Sequence, residues 1–257
     1  MINSFRKNSF VVVLLCLMSF ILPPQKKIKV WMIGDSTMCN YQLSRGPITG
    51  WGMPFATFFD SSVVIDNRAQ GGRSTRTFLS EGRWKPVADS AQEGDYVFMQ
   101  FGHNDEAKEP QYADRYTPVE DYKKNLVKFI TEARSKKAIP VLVTPVTRMK
   151  FDKEGNITET HVEYTKAVYD IANAYKTPLI DLDKKSRELL QQFGPQNSKY
   201  LFMQLDEGEN PNYPQGQKDN THFNEYGARR IAELVLAEVK ALHLGLADHI
   251  RKPLQAK

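Results

Sequence analysis

Ile28-Lys-Val-Trp-Met-Ile-Gly-Asp-Ser36 is the stretch whose reading decides the fold class. A mostly apolar, β-branched and aromatic run ends at a glycine, and an acid and a hydroxyl follow at once. That is how a strand buried on both faces of a parallel sheet reads, with polar residues delivered at its carboxyl end. The same pattern recurs at Val63-Val-Ile-Asp66, at Asp95-Tyr-Val-Phe-Met-Gln-Phe101 before Gly102, at Ile139-Pro-Val-Leu-Val-Thr-Pro145 and at Pro178-Leu-Ile-Asp-Leu182. Helical spacing fills the gaps. Tyr122, Leu126, Phe129, Ile130 and Ala133 predict a helix over 119–136. Val162, Tyr164, Val168, Ile171, Ala172 and Tyr175 predict one over 160–176. Ile231, Leu234, Val235, Val239 and Leu242 predict one over 224–243, capped by Asn224. Strands and helices in alternation predict one α/β domain, a doubly wound parallel sheet with helices on both faces. The segment 194–221, rich in Gly, Pro, Asn and Gln, reads as one long irregular loop, and its length favours a functional role.

Open parallel sheets bind ligands beyond the carboxyl ends of their strands. The first strand brings Gly34-Asp35-Ser36 to that edge, the second Asn67 to Thr75, the third Gly102-His-Asn-Asp105. The 194–221 segment runs into Asp219-Asn-Thr-His222. A serine hydroxyl attacks an acyl group only when a base takes its proton, and the base needs a carboxylate to fix its tautomer. Ser36, His222 and Asp219 supply those three types. A developing oxyanion needs donors, and the Ser36 amide, the Gly72 amide and the Asn104 side chain supply them. Each residue also has a plainer reading. Ser36 suits a helix cap, Asp-x-x-His a helix start with an unrelated His, Gly71-Gly72 a tight turn, and Asn104 a turn. Asp35 is read as holding its turn, and His103 as a packed neighbour. No Gly-x-Ser-x-Gly elbow is present, which disfavours an α/β-hydrolase. Asp219, His222 and His103 are conceivable metal ligands, but their spacing matches no metal motif, so no metal or cofactor is expected.

Gly34-Asp-Ser-Thr-Met38, Gly72-Arg-Ser-Thr-Arg76, Phe101-Gly-His-Asn-Asp105 and Thr221-His-Phe-Asn-Glu-Tyr-Gly227 together resemble the blocks of the SGNH (GDSL-like) hydrolase superfamily. That superfamily is named for the Ser, Gly, Asn and His that fall here on Ser36, Gly72, Asn104 and His222. The wording of the blocks, with Glu81-Gly-Arg-Trp84, is closer still to the rhamnogalacturonan acetylesterases. The resemblance implies a flavodoxin-like sheet of order 2-1-3-4-5 in a single three-layer α/β/α domain. It also implies a metal-independent serine esterase that removes acetyl groups from pectic rhamnogalacturonan or related acetylated sugars.

Candidate sugar contacts are Trp51, Trp84 and Tyr213, whose faces suit apolar sugar faces, and Arg73, which suits a uronate carboxylate. Their plainer readings are core aromatics and a solvated charged face. Two rival functions are an SGNH esterase or thioesterase acting on lipids or small acyl esters, and a non-catalytic carbohydrate-binding relative. An apolar acyl groove would favour the first, and loss of a triad residue the second.

Bulk properties are those of a soluble globular chain: 257 residues, 25% charged, mean hydropathy −0.49. The positive residues form neither a long run nor an aromatic-interleaved stripe, so nucleic acid is not an expected partner. Arg6 and Lys7 precede an apolar run from Phe10 to Leu22 that Pro23-Pro24 ends. A run of about 13 residues fits a secretory signal and is short for a membrane span. The expectation is a signal peptide over 1–24, a hydrolase domain over 25–257, secretion or periplasmic export, and no stable membrane partner. Cys16 follows Leu15 rather than a small residue, which argues against lipidation. Cleavage leaves Cys39 without a partner, and it reads as a packing residue.

Overall fold

The computed structural model describes residues 26–252. The expected signal segment, 1–24, lies outside the described residues. Five strands form one parallel sheet: β1 (Ile28–Gly34), β2 (Val63–Asn67), β3 (Tyr96–Gln100), β4 (Ile139–Val143) and β5 (Leu179–Ile180), in the order β2-β1-β3-β4-β5. Side chains alternate across the sheet, as the two-residue period of a strand requires. Val30, Met32, Phe98, Val141 and Val143 enter one apolar layer, while Trp31, Ile33, Val97, Met99 and Leu142 enter the other.

Seven α-helices are described: α1 (Gly52–Phe55), α2 (Thr75–Ser80), α3 (Lys85–Ser90), α4 (Val119–Ser135), α5 (Val162–Tyr175), α6 (Leu182–Asn197) and α7 (Glu225–Ala241). Helices α2 to α5 bury their stripes on the Trp31 side, and α1, α6 and α7 on the Val30 side, giving three layers. All five core positions foreseen in α4 are buried. In α5 the stripe is narrower than expected. Val162 and Tyr175, at the two ends, are exposed, and Tyr164, Ala167, Val168, Ile171 and Ala172 carry the contact. Asn224 caps α7 as its type suggests, accepting from the Gly227 amide at 2.9 Å.

The segment 194–221 is not one irregular loop. Helix α6 runs on to Asn197 across a break at Gly194, whose φ of 72° no helix tolerates. A 3-10 turn, Ser198–Leu201, follows. Then β6 (Phe202–Leu205) and β7 (Gln217–Phe223) pair as an antiparallel hairpin with a register irregularity between Phe202 and Gln204. The composition of β7, Gln-Lys-Asp-Asn-Thr-His-Phe, carries almost no strand propensity, and pairing with β6 decides its conformation. The hairpin is fixed to α7 at one crowded spot. A Cβ on Gly227 would lie 1.8 Å from the Leu201 carbonyl oxygen, so only glycine allows this approach.

From β1 the chain crosses outward to β2 and returns past β1 to β3, so the strand order reverses between β1 and β3. Loops leaving the carboxyl ends there diverge and open a crevice.

Candidate active site

Ser36 sits in a tight turn that the buried Asp35 organises. One Asp35 carboxylate oxygen accepts from the Thr37 amide at 2.9 Å and from its hydroxyl at 2.8 Å. The Asp35 carbonyl accepts from the Cys39 amide at 3.1 Å. From outside the turn, Gln100 donates to the Thr37 hydroxyl at 2.7 Å, and the Tyr41 hydroxyl donates to the Ser36 carbonyl at 2.9 Å. Cys39 is buried in the packing, and burial pushes its thiol up to about 11, so it stays protonated.

On the far side of the crevice, β7 delivers Asp219 and His222. One Asp219 oxygen accepts from the amides of Thr221 and His222 at 2.7 and 3.0 Å, and the other lies 2.7 Å from His222 Nδ1. His222 Nε2 lies 2.8 Å from Ser36 Oγ. A carboxylate at Nδ1 assigns the ring proton to that nitrogen and leaves Nε2 as acceptor for the serine proton. Burial alone would raise the Asp219 carboxyl. The bonds and charge of His222, with the two amides, outweigh burial and hold it below the ordinary value.

Three candidate donors belong to residues that line the same cleft. Gly72 has φ +79°, which favours glycine, and it lines the cleft beside Ser36. Among the described residues, neither the Ser36 nor the Gly72 amide has an intramolecular acceptor. Asn104 also lines the cleft, and it spends one amide hydrogen on the Arg73 carbonyl, at 3.1 Å. That bond fixes the amide plane and leaves the second hydrogen free.

His103 is packed, as its reading suggested. Its ring centroid is 4.2 Å from that of His161, and Nδ1 is 3.4 Å from Asp35. Burial, and then the charge of His161, press it down to about 4 against the pull of Asp35, so it is neutral at neutral pH. Among the described residues no group of three or more His, Cys, Asp or Glu side chains is placed to hold a metal ion. Both ring nitrogens of His222 are engaged by Asp219 and Ser36.

Two of the sugar-contact expectations, Trp51 and Trp84, need correction, because both rings are buried. Trp51 is fully buried against Phe55 and donates to Gln100 at 2.5 Å. It supports the nucleophile turn through Gln100 and Thr37, and its ring has no exposed face. Trp84 is buried against Phe129 and donates to Glu132 at 2.5 Å. Arg73 folds back on Glu81 at 3.0 Å and donates to the Gly71 carbonyl at 2.9 Å, bracing the glycine turn. Tyr213 is half-buried on the hairpin and donates to the Arg45 carbonyl at 2.9 Å.

The cleft itself encloses about 840 Å³ and is lined by polar and charged groups that sequence reading passed over, among them Glu106, Arg115, Arg148 and His161. Arg148 bridges Glu106 (3.0 Å) and the Thr221 hydroxyl (2.9 Å), and Glu106 lies 2.9 Å from His161 Nδ1. This net ties the loops after β3 and β4 to the Asp219–His222 strand. Arg148 follows the carboxyl end of β4, so the rule that marked the other loops also marked this one.

A profile of the GDSL-like lipase/acylhydrolase family matches residues 32–230. The chain belongs to that family. This GDSL-like hydrolase is 40% identical to the rhamnogalacturonan acetylesterase RhgT of Bacillus subtilis over 88% of its own length and 95% of the relative's. It is 35% identical to a probable rhamnogalacturonan acetylesterase, YesY, of the same organism, over 87% and 97%. Among solved structures it superimposes on the Bacillus subtilis protein YxiM with a TM-score of 0.74 at 27% identity, over 86% of this chain and 58% of that one. An acetylxylan esterase of Geobacillus stearothermophilus shares the fold, with a TM-score of 0.61 at 18% identity over 89% and 98%.

Proposed function

We propose that this GDSL-like hydrolase is an exported serine esterase that removes O-acetyl groups from rhamnogalacturonan. The observation that carries the chemistry is the hydrogen-bonded line Asp219–His222–Ser36 at the mouth of a polar cleft. His222 takes the Ser36 proton as Oγ attacks the acetyl carbonyl. The oxyanion is held by the Ser36 and Gly72 amides and by Asn104. His222 then protonates the departing sugar hydroxyl, and a water, deprotonated by the same ring, releases acetate and restores Ser36. Asp219 stays ionised throughout and keeps the imidazolium in place. The substrate half rests on two supports. The named activity of RhgT is one, and the other is a charged cleft lining suited to an oligosaccharide rather than an acyl chain. The apolar signal-like run at 10–22 supports export.

The test is acetate release from acetylated rhamnogalacturonan, acetylated xylan and acetylated chitooligosaccharide at matched acetyl content. Preferential release from the first is expected. A preference for xylan, or activity confined to long-chain acyl esters, overturns the substrate assignment.

A further inference from the structure

Arg115 stands out among the cations of the cleft because, among the described residues, no carboxylate answers its charge. Arg148 is paired with Glu106, and Lys108 lies 3.6 Å from Glu163. Among the described residues Arg115 makes no ion pair, and its side chain donates no hydrogen bond. Its Nε is buried without an acceptor. Arg45, also without an ion pair among the described residues, is exposed, so its donors are open to solvent.

The chain holds Arg115 firmly. Its amide donates to the Tyr112 carbonyl at 3.0 Å, its carbonyl accepts from the Thr117 hydroxyl at 3.1 Å, and its guanidinium lies over the Tyr112 ring at 3.8 Å. Stacking on the ring face leaves the edge donors of the fork free. One terminal nitrogen is 3.6 Å from where a Cβ on Gly72 would sit, and a Cβ on Gly71 would sit 3.7 Å from the Ser36 Cβ. The guanidinium is therefore one residue removed from the nucleophile's own neighbour, on the oxyanion side of the cleft.

The two terminal nitrogens of a guanidinium held in place form a planar fork, the geometry that matches a carboxylate with two parallel bonds. We propose that Arg115 binds the carboxylate of a uronic acid in the acetylated oligosaccharide, and that it makes the enzyme select free uronates over their methyl esters. This rests on the acetylesterase reading above and adds to it the group that recognises the acid sugar. Methyl esterification removes the charge and half of the acceptor geometry while leaving the acetyl group in place.

The test compares kcat/KM for acetate release from acetylated rhamnogalacturonan oligosaccharides with free carboxylates and from the same oligosaccharides fully methyl-esterified. It uses the wild type, Arg115→Gln and Arg115→Lys, with thermal midpoints recorded for each. The wild type should favour the free acid by roughly ten- to hundredfold, the range of a hydrogen-bonded charge pair, with most of the difference in KM. Arg115→Gln should bring the ratio close to one. Arg115→Lys should keep part of it, since charge remains and the fork is lost. Equal wild-type rates on both substrates overturn the proposal and leave the acetylesterase reading standing. An Arg115→Gln ratio like the wild type's overturns it too, as does an equal loss on both substrates with a lowered midpoint. If the wild type releases acetate from neither form while hydrolysing other esters, the substrate reading falls and this proposal with it.

Discussion

Ser36 is the one residue from Gly34 to Cys39 that is not buried. Every neighbour in the turn is spent on holding it: Asp35 on Thr37, Thr37 on Gln100, and Gln100 on Trp51. Asn104 is held in a similar way by the Arg73 carbonyl. Its free amide hydrogen matters most when charge develops on the acyl oxygen. Asn104→Ala should therefore lower kcat by about 10²–10³ with little change in KM. It should also cost about 1 kcal/mol of stability through the lost bond to Arg73. Measuring kcat, KM and thermal midpoint on one preparation separates the roles, and a full kcat with a depressed midpoint would make Asn104 a turn residue only. At this scale the sequence was readable where chemistry is local. Asp219 and His222 lie on one short strand, and Ser36 follows directly on β1. It was not readable for Trp51 and Trp84, because whether an aromatic ring faces a ligand or the core depends on partners far along the chain, here Gln100 and Glu132. Arg115 and Arg148 drew no notice because a lone arginine in a loop carries no pattern.

Helix α7 and the β6–β7 hairpin act together as the mount for His222. Asn224, two residues beyond it, accepts from the Gly227 amide and donates to the carbonyls of Tyr200 and Phe202 at 2.8 and 3.2 Å. Asn224→Ala removes the cap and both ties. It should cost about 1–2 kcal/mol, or a midpoint drop of a few degrees for a chain of this size. Asn224→Ser should recover the cap but not the ties, so its midpoint should fall between the two. An Asn224→Ala midpoint equal to the wild type's would show that the hairpin does not depend on this junction. The five parallel strands and three of the four long helices, α4, α5 and α7, were legible because burial on both faces, or on one stripe, leaves a period in the sequence. The hairpin was not legible. Its second strand is polar, and a strand of that kind is set by its partner rather than by its own residues. Helix α6 was not read at all, and Gly194 and Pro195 placed its last turn in what looked like a loop.

Across the whole molecule, several buried titratable groups, Asp35, His103, Asp105 and His161, gather at the carboxyl edge of the sheet, and they bear on stability. Asp105, fully buried, accepts from the Thr75 amide and hydroxyl at 2.9 and 2.6 Å, joining the loop after β3 to the start of α2. Burial raises its carboxyl to about 7, against the hydrogen bonds from Thr75. The unfolded chain releases this proton near pH 4, whereas the folded protein keeps it until about pH 7. Its contribution to stability is therefore intact below pH 4, falls as pH rises through that window, and is at its lowest above it. Asp105→Asn has no such proton to lose. Its stability relative to the wild type should improve between pH 4.5 and 7.5, by on the order of a few kcal/mol. Urea denaturation of both proteins at the two pH values checks this, and a constant difference would contradict it. The central claim is that this crevice makes Ser36 a nucleophile through His222. The most direct measurement is covalent labelling by an organophosphate that reacts with activated serines, read by peptide mass spectrometry and followed in parallel by acetate release. The account predicts one label per chain, on Ser36, with activity lost in step and labelling abolished in His222→Ala. A label on another serine, or an enzyme labelled at Ser36 that still releases acetate at the normal rate, would contradict it.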